Sequence, residues 1–210
     1  MNEPRITKEV SARIPTKYGT FEFVLFTNNL DAKENAAFLL GQVRQRKEVL
    51  TRVHSECFTG DVLGSVRCDC GEQLDRSLQM IGRAGSGLLL YLRQEGRGIG
   101  LRDKLRAYNL QDEGLDTVEA NLQLGHRPDE RDYRIAALML ADIGVGSINL
   151  ITNNPAKIHA LSRLGVHVAL RTPIEVPARP ENAGYLNTKL HRMNHLLDLG
   201  GQFRLSGDQA

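Results

Sequence analysis

The stretch VLTRVHSECFTGDVLGSVRCDCGEQLDRSLQMIGRAGSGLLLYLR runs from Val49 to Arg93 and sets the reading of the chain. Val49 to His54 is a short β-type run. Gln73 to Arg83 places Leu74, Leu78 and Ile81 on one helical stripe, because side chains three and four positions apart share a face. Leu88 to Arg93 is a second apolar β-type run. Strand, helix and strand thus follow in succession.

The same alternation continues on either side. Phe21 to Phe26, Ile148 to Thr152 and Val166 to Leu170 read as strands. Residues 36–43 fit two structures: Ala, Leu and Gln suit a helix, and the Arg-Gln-Arg-Lys run that follows suits a hairpin. Asp116 and Glu119 have capping-box spacing ahead of Ala120 to Leu124. Asp129 is placed to cap a helix from Glu130 to Ile143 that Gly144 ends. Asn154-Pro155 opens another, with proline at the first position and Gly165 beyond the end. Leu186, Leu190, Met193 and Leu197 stripe a last helix. Strands interleaved with helices predict an α/β layered fold, and the strand order does not follow from the pattern. Residues 1–12 and the Gly-rich residues 200–210 read as flexible ends.

The chain has 210 residues, 41% hydrophobic and 25% charged, enough for a sizeable core and a solvated surface. A net charge of +2 is too small for a nucleic-acid coat or a membrane-binding face. No apolar run approaches a bilayer span, and Met1 to Lys8 has no apolar h-region, so the expected compartment is the cytoplasm.

All three cysteines, Cys57, Cys68 and Cys70, fall within the opening stretch. An odd, clustered set favours a metal over a disulfide framework. Cys-x-Cys can grip one ion across a tight turn that Gly71 would ease, and Cys57 can return from a strand end as the third ligand. Three thiolates suit Zn²⁺. Two arrangements fit. In one, the fourth corner holds water and the ion is catalytic; in the other, His54 closes a structural site. His126, alone in a loop, reads as polar surface, and His159, His167, His191 and His195 show no ligand spacing relative to the cysteines.

The run His54-Ser-Glu-Cys57, then Arg67-Cys-Asp-Cys-Gly71 and Arg93-Gln-Glu-Gly-Arg-Gly-Ile-Gly-Leu101, closely resembles the GTP cyclohydrolase II family. So do Asp116-Thr-Val-Glu-Ala-Asn121, Asp129-Glu-Arg-Asp132 and Thr152-Asn-Asn-Pro155. The resemblance covers about residues 13–199 and implies one domain there. It implies the family's three-layer α/β/α fold with a mixed sheet, a homodimer, and Zn²⁺ held by three cysteines and a water. It further implies Mg²⁺ with the triphosphate, and hydrolysis of GTP to formate, diphosphate and a diaminopyrimidinone ribosyl phosphate. No butanone-phosphate synthase domain precedes these blocks, so the expectation is the single-activity form.

The resemblance also implies site residues. Tyr108 matches an active-site tyrosine, although its helical spacing with Leu101 and Leu105 alone reads as core. Asp129 matches a proton acceptor, and Arg131 a nucleophile that takes the guanylyl group. An arginine is a poor nucleophile, and a donor fork clamping the α-phosphate is the alternative. Arg52, Val53, His54, Ser55, Glu56, Gln73, Glu95, Gly96, Arg97, Thr117, Thr152 and Lys157 match substrate contacts. Among these, Arg52, Arg97 and Lys157 suit phosphates. Glu95 could accept from guanine N1–H and the exocyclic amine, a pattern adenine does not offer. Three rival readings remain: a relative that opens GTP incompletely, a zinc-stabilised regulatory protein that binds without turnover, and a nucleic-acid-binding zinc module. Near-neutral charge and the lack of aromatic-basic interleaving weigh against the last.

Overall fold

Seven strands join in one mixed sheet in the computed structural model, which describes residues 3–197. In chain order the elements are β1 (Ile6–Thr16), β2 (Gly19–Asn28), β3 (Asn35–Leu40), β4 (Val49–Ser55), α1 (Phe58–Asp61), α2 (Cys70–Ala84) and β5 (Gly87–Leu92). A 3₁₀ turn (Glu95–Gly98) leads to α3 (Gly100–Asp112), α4 (Thr117–Gln123), α5 (Arg134–Ile143), β6 (Ile148–Ile151), α6 (Pro155–Arg163), β7 (Val168–Thr172) and α7 (Ala183–Met193). The strand order is β1-β2-β3-β5-β4-β6-β7. β1, β2, β3 and β5 pair antiparallel, whereas β5, β4, β6 and β7 run parallel.

Helices cover both faces. On one face Ala136, Met139, Leu140 and Ile143 of α5 and Leu161 of α6 pack with Val53, Leu88, Leu90 and Leu150. On the other, Leu74, Leu78 and Ile81 of α2 pack with Phe21, Leu89 and Ile151. β5 divides its side chains between the two cores by simple alternation: Leu88, Leu90 and Leu92 go one way and Leu89 the other. A near-continuous leucine run is what a strand buried on both faces requires. The expected three-layer α/β/α arrangement is therefore present.

Several expectations need correction. Residues 6–12, read as a flexible end, form most of β1, which pairs with β2 from Ile6↔Asn28 to Thr16↔Gly19. Its residues are exposed on both faces, so no apolar alternation marks it; main-chain pairing holds it. Residues 36–43 resolve as β3 followed by a turn. Asp129 caps no helix: α5 starts at Arg134, because the Asp129 carboxylate is engaged by Arg131. α7 ends at Met193 with Asn194 in the left-handed conformation, leaving Leu197 outside the stripe. β7 lies two residues later than expected. The capping box at Asp116 and Glu119 is formed in full, and Gly144 ends α5 at φ 78°. The expected tail over residues 200–210 lies outside the described residues. Among the described residues, no helix is long and apolar enough to cross a membrane.

Candidate active site

Parallel strands deliver their carboxyl ends to one edge of a sheet, which is where open α/β sheets place ligands. β4 arrives there with Ser55, Glu56 and Cys57, β5 with Glu95 to Arg97, and β6 with Thr152 to Asn154. Together they wall a cavity of about 130 Å³.

The three thiols form one corner. Their sulfurs lie within 4.8 Å of one another, with 3.7 Å between Cys57 and Cys68. Cys57 immediately precedes α1 and Cys70 opens α2, so two helix starts converge on the group. A Cβ at residue 71 would lie 2.2 Å from the Gly60 carbonyl. Gly71 is thus required by the contact between α1 and α2, rather than by a turn. Hydrogen bonds from the Cys68 and Cys70 thiols, and the nearby Lys104 ammonium, push the Cys57 thiol far down. Its bond to Cys57 raises the Cys68 thiol to about 11, and the same crowding drives Cys70 well up. One negative charge is easy here and three are not, unless a cation shares the site. Buried, soft and mutually close, the sulfurs fit a thiophilic metal ion and could hold one.

His54 is not among the grouped ligands. Its Nε2 lies 3.0 Å from Asp61 Oδ2, which also accepts from Tyr91 Oη at 2.8 Å and from the Cys57 backbone N–H at 3.0 Å. Asp61 therefore ties the histidine to the backbone of a thiol-bearing residue. The fourth-ligand arrangement gives way to this buried network.

Cations line the rest. Arg52 donates to the Ile151 carbonyl at 3.0 Å and to Gln73 Oε1 at 2.6 Å. Lys157 donates to the Val53 carbonyl at 2.6 Å; burial, reinforced by Arg52 and Arg131, holds its pKa well below the usual lysine value. Arg97 follows Gly96, and both sit at positive φ, 60° and 62°. Glycine accepts that conformation freely and arginine at a cost of roughly 1–3 kcal/mol. Both Arg97 terminal nitrogens are buried with no hydrogen-bond partner among the described residues. Arg131 is clasped by Asp129, which accepts from its backbone N–H at 3.1 Å and its Nε at 2.8 Å. Burial opposes the charge on Arg131, yet Tyr133 and Asp129 raise its pKa further. Lys189 pairs with Asp69. Neither Arg52, Arg97 nor Lys157 has an ion-pair partner among the described residues. Buried charge without a partner is costly, and an anion entering the cavity would offset that cost.

The remaining expected residues divide. Ser55, Glu56, Gln73, Thr117, Thr152 and Tyr108 reach the wall. Leu101 and Leu105 are 37% and 47% exposed, so the stripe they share with Tyr108 is not core. Val53 points into the main core, and Asp129 stands behind Arg131 rather than on the wall. Glu95 is buried, but its oxygens are engaged: Oε1 by the Gly96 N–H and Lys104 at 2.8 Å each, Oε2 by the Phe58 N–H at 2.6 Å. A bidentate reading of guanine needs a free acceptor on each oxygen, and Oε1 has none to spare. Glu95 lines the cavity and organises the loop, and reading guanine with both oxygens would require the Gly96 N–H or Lys104 to give way.

Sequence reasoning missed Asp61, Asp69, Lys104, Tyr185, Lys189 and His195. Lys104 bridges Glu95, Thr59 Oγ1 at 2.9 Å and Cys57 Sγ at 3.1 Å. Its position four residues before Tyr108, on the same helical face, was the available signal. Asp61 and Asp69 lie among the thiols in sequence, but nothing local shows their partners His54, Tyr91 and Lys189; Tyr185, Lys189 and His195 lie far from the thiols.

Fold and cavity define a class: an α/β protein with a thiol triad beside a cation-lined pocket on the carboxyl edge of its parallel strands. The chain belongs to the GTP cyclohydrolase II family, whose sequence model matches residues 7–173. It is 53% identical over 198 residues to the riboflavin biosynthesis protein RibBA of Bacillus cytotoxicus, and 52% to those of Bacillus cereus (strain B4264) and Bacillus mycoides. Each alignment covers 94% of this chain and 50% of the relative, so the chain spans about half the length of these curated relatives. A solved two-domain 3,4-dihydroxy-2-butanone 4-phosphate synthase, RibBX from A. baumannii, aligns at 18% identity and a TM-score of 0.47. That alignment covers 83% of this chain and 41% of the other, a likeness too weak to add to the argument.

Proposed function

We propose that this chain hydrolyses GTP to formate, diphosphate and 2,5-diamino-6-(5-phosphoribosylamino)pyrimidin-4(3H)-one, the first step of riboflavin biosynthesis. The observation that carries the reading is the meeting, in one cavity, of three buried thiols with buried cations that lack counter-charges. The thiols suit hydrolysis at a ring carbon, and the cations suit a triphosphate.

Cys57, Cys68 and Cys70 would hold Zn²⁺. Such an ion supplies Lewis acidity and a nucleophile competent near neutral pH. Lys104 offsets the thiolate charge at Cys57, and Asp61 fixes the backbone there through His54, Tyr91 and the Cys57 N–H. Tyr108 is a protonated phenol at neutral pH, and burial shifts its pKa further up, so it is a donor that can orient the opening imidazole ring. Arg52, Arg97 and Lys157 receive the phosphates, and Ser55, Glu56, Gln73, Thr117 and Thr152 complete the wall. Mg²⁺ would arrive on the triphosphate itself: among the described residues the thiols are the only metal-type cluster, and Mg²⁺ commonly binds through substrate phosphates.

Arg131 clamps the α-phosphate as diphosphate departs. Two-point binding by Asp129 and a raised pKa keep it a charged fork, which favours electrostatic stabilisation over nucleophilic attack. Asp129 serves by aiming it. The working unit is a cytoplasmic homodimer.

The test is one incubation of zinc-loaded protein with GTP and Mg²⁺, following formate, diphosphate and the pyrimidine together. Formate and diphosphate in equal amounts are expected. Diphosphate without formate would replace this reading with incomplete ring opening, and bound, unconsumed GTP would replace it with a regulatory role.

A further inference from the structure

The cavity has one wall that lies outside the 7–173 stretch matched by the family model. α7 and the turn after it contribute Tyr185, Lys189 and His195. This segment is fastened to the site at two places. Lys189 pairs with Asp69, which sits between Cys68 and Cys70. The Leu196 N–H donates to the Asn153 carbonyl at 2.8 Å, on the loop after β6. Asn194 at φ 52° turns the chain back, and the His195 N–H closes on the Lys189 carbonyl at 2.9 Å. His195 thereby lines the cavity with its Nε2 buried and without a partner among the described residues. Tyr185 lies under the Arg97 guanidinium, 5.4 Å from ring centroid to Cζ. His195 of this wall and Arg97 of the 3₁₀ turn, both with orphaned nitrogens, line the same cavity.

The geometry points to α7 and its following turn as part of the substrate site, with His195 and Lys189 contacting the phosphate groups and Tyr185 positioning Arg97. The inference deepens the GTP reading and rests on it for the identity of the nucleotide; the anion chemistry stands on its own. Burial, helped by Lys189, holds the His195 imidazole down at about 3, so in the free protein it is a neutral group able to donate one N–H. The size of the cavity adds a consequence. About 130 Å³ falls well below the roughly 300–1,000 Å³ of small-molecule sites. A nucleoside triphosphate therefore needs more room than this conformation gives, and α7, like α3 and α4, borders the cavity without belonging to a strand or a strand-end loop.

Binding to the zinc-loaded full chain separates the possibilities, with inorganic tripolyphosphate, guanosine and GTP as probes. His195→Ala removes no side-chain hydrogen bond made among the described residues, and a thermal melt checks that it folds. Lys189→Gln keeps a donor for Asp69. Each is expected to weaken tripolyphosphate about tenfold, as for a lost hydrogen bond to a charged group, to raise KM for GTP more than it lowers kcat, and to leave guanosine unchanged. Tyr185→Leu should raise KM for GTP, and Tyr185→Phe, which keeps the ring, should restore it. Tripolyphosphate affinity within about twofold of the parent for both His195→Ala and Lys189→Gln would overturn the inference. So would an equal loss of guanosine binding, which would mean a purely structural role. If the parent consumes no GTP, the proposed reaction fails, and the tripolyphosphate comparison still decides whether α7 supplies anion ligands.

Discussion

The two halves of the sheet share one hydrogen-bonded framework and do different work. β1, β2 and β3 form an antiparallel meander, and among the described residues none before Arg52 lines the cavity. β5, β4 and β6 run parallel, and the loops at their carboxyl ends supply the thiols, Glu95 to Arg97, and Thr152 to Asn154. Parallel strands need long crossovers, and those crossovers leave every strand end on the same edge, free to carry chemistry. Hairpins return at once, and their ends alternate between edges. Chemistry therefore concentrates where the connections are long.

Breaking the parallel half should cost function out of proportion to stability. The largest effect is expected at the thiols. Cys57→Ser should lower bound zinc and cut formate release by at least about a hundredfold. Chelation of the parent should do the same and zinc should reverse it; metal content and formate assays check both. Zinc-free protein that still releases formate would remove the triad from the chemistry. Next comes Arg131→Lys, which keeps charge and loses the fork. Diphosphate release should fall about a hundredfold with little change in the melting temperature. Near-parental release would end the clamp proposal.

The same contrast explains what could be read from the sequence. In β5 the two-faced burial of Leu88 to Leu92 left an unmistakable apolar run, and the helix cap at Asp116 uses side chains that advertise their role. β1 offered no such pattern, because its side chains meet solvent on both faces and its stability comes from main-chain pairing. In the site, residues adjacent in sequence were legible as blocks: Arg52 to Cys57, Cys68 and Cys70, and Glu95 to Arg97. What escaped were partners made by folding. Asp69 meets Lys189 across 120 positions, and Arg97 meets Tyr185 across most of the parallel half. No local period records such a meeting. Glu95 is the converse case: its residue type suits guanine, while folding also gives it Lys104 and two backbone N–H groups as partners.

That second set of partners gives a sharper, smaller test within the parallel half. Glu95→Gln leaves the shape and removes the charge that faces Lys104. Turnover should drop about tenfold through a loosened loop, with the preference for GTP over ATP unchanged. Competition between the two nucleotides measures it, and a relaxed preference would return Glu95 to guanine selection.

The smallest effect belongs to the antiparallel edge. Val10 in β1 is 55% exposed and follows the register shift between Lys8 and Val10. Val10→Lys adds a charge to an open strand without touching either core or any group that lines the cavity. Stability should move by no more than about 0.5 kcal/mol, as expected for an exposed position away from buried groups, and kcat and KM should match the parent. Thermal melts and steady-state assays read both quantities. A large fall in activity at unchanged monomer stability would mean that β1 is covered in the working assembly. The meander would then serve the site through a second subunit rather than only bordering it, and the functional contrast between the halves would hold within one chain but not within the dimer.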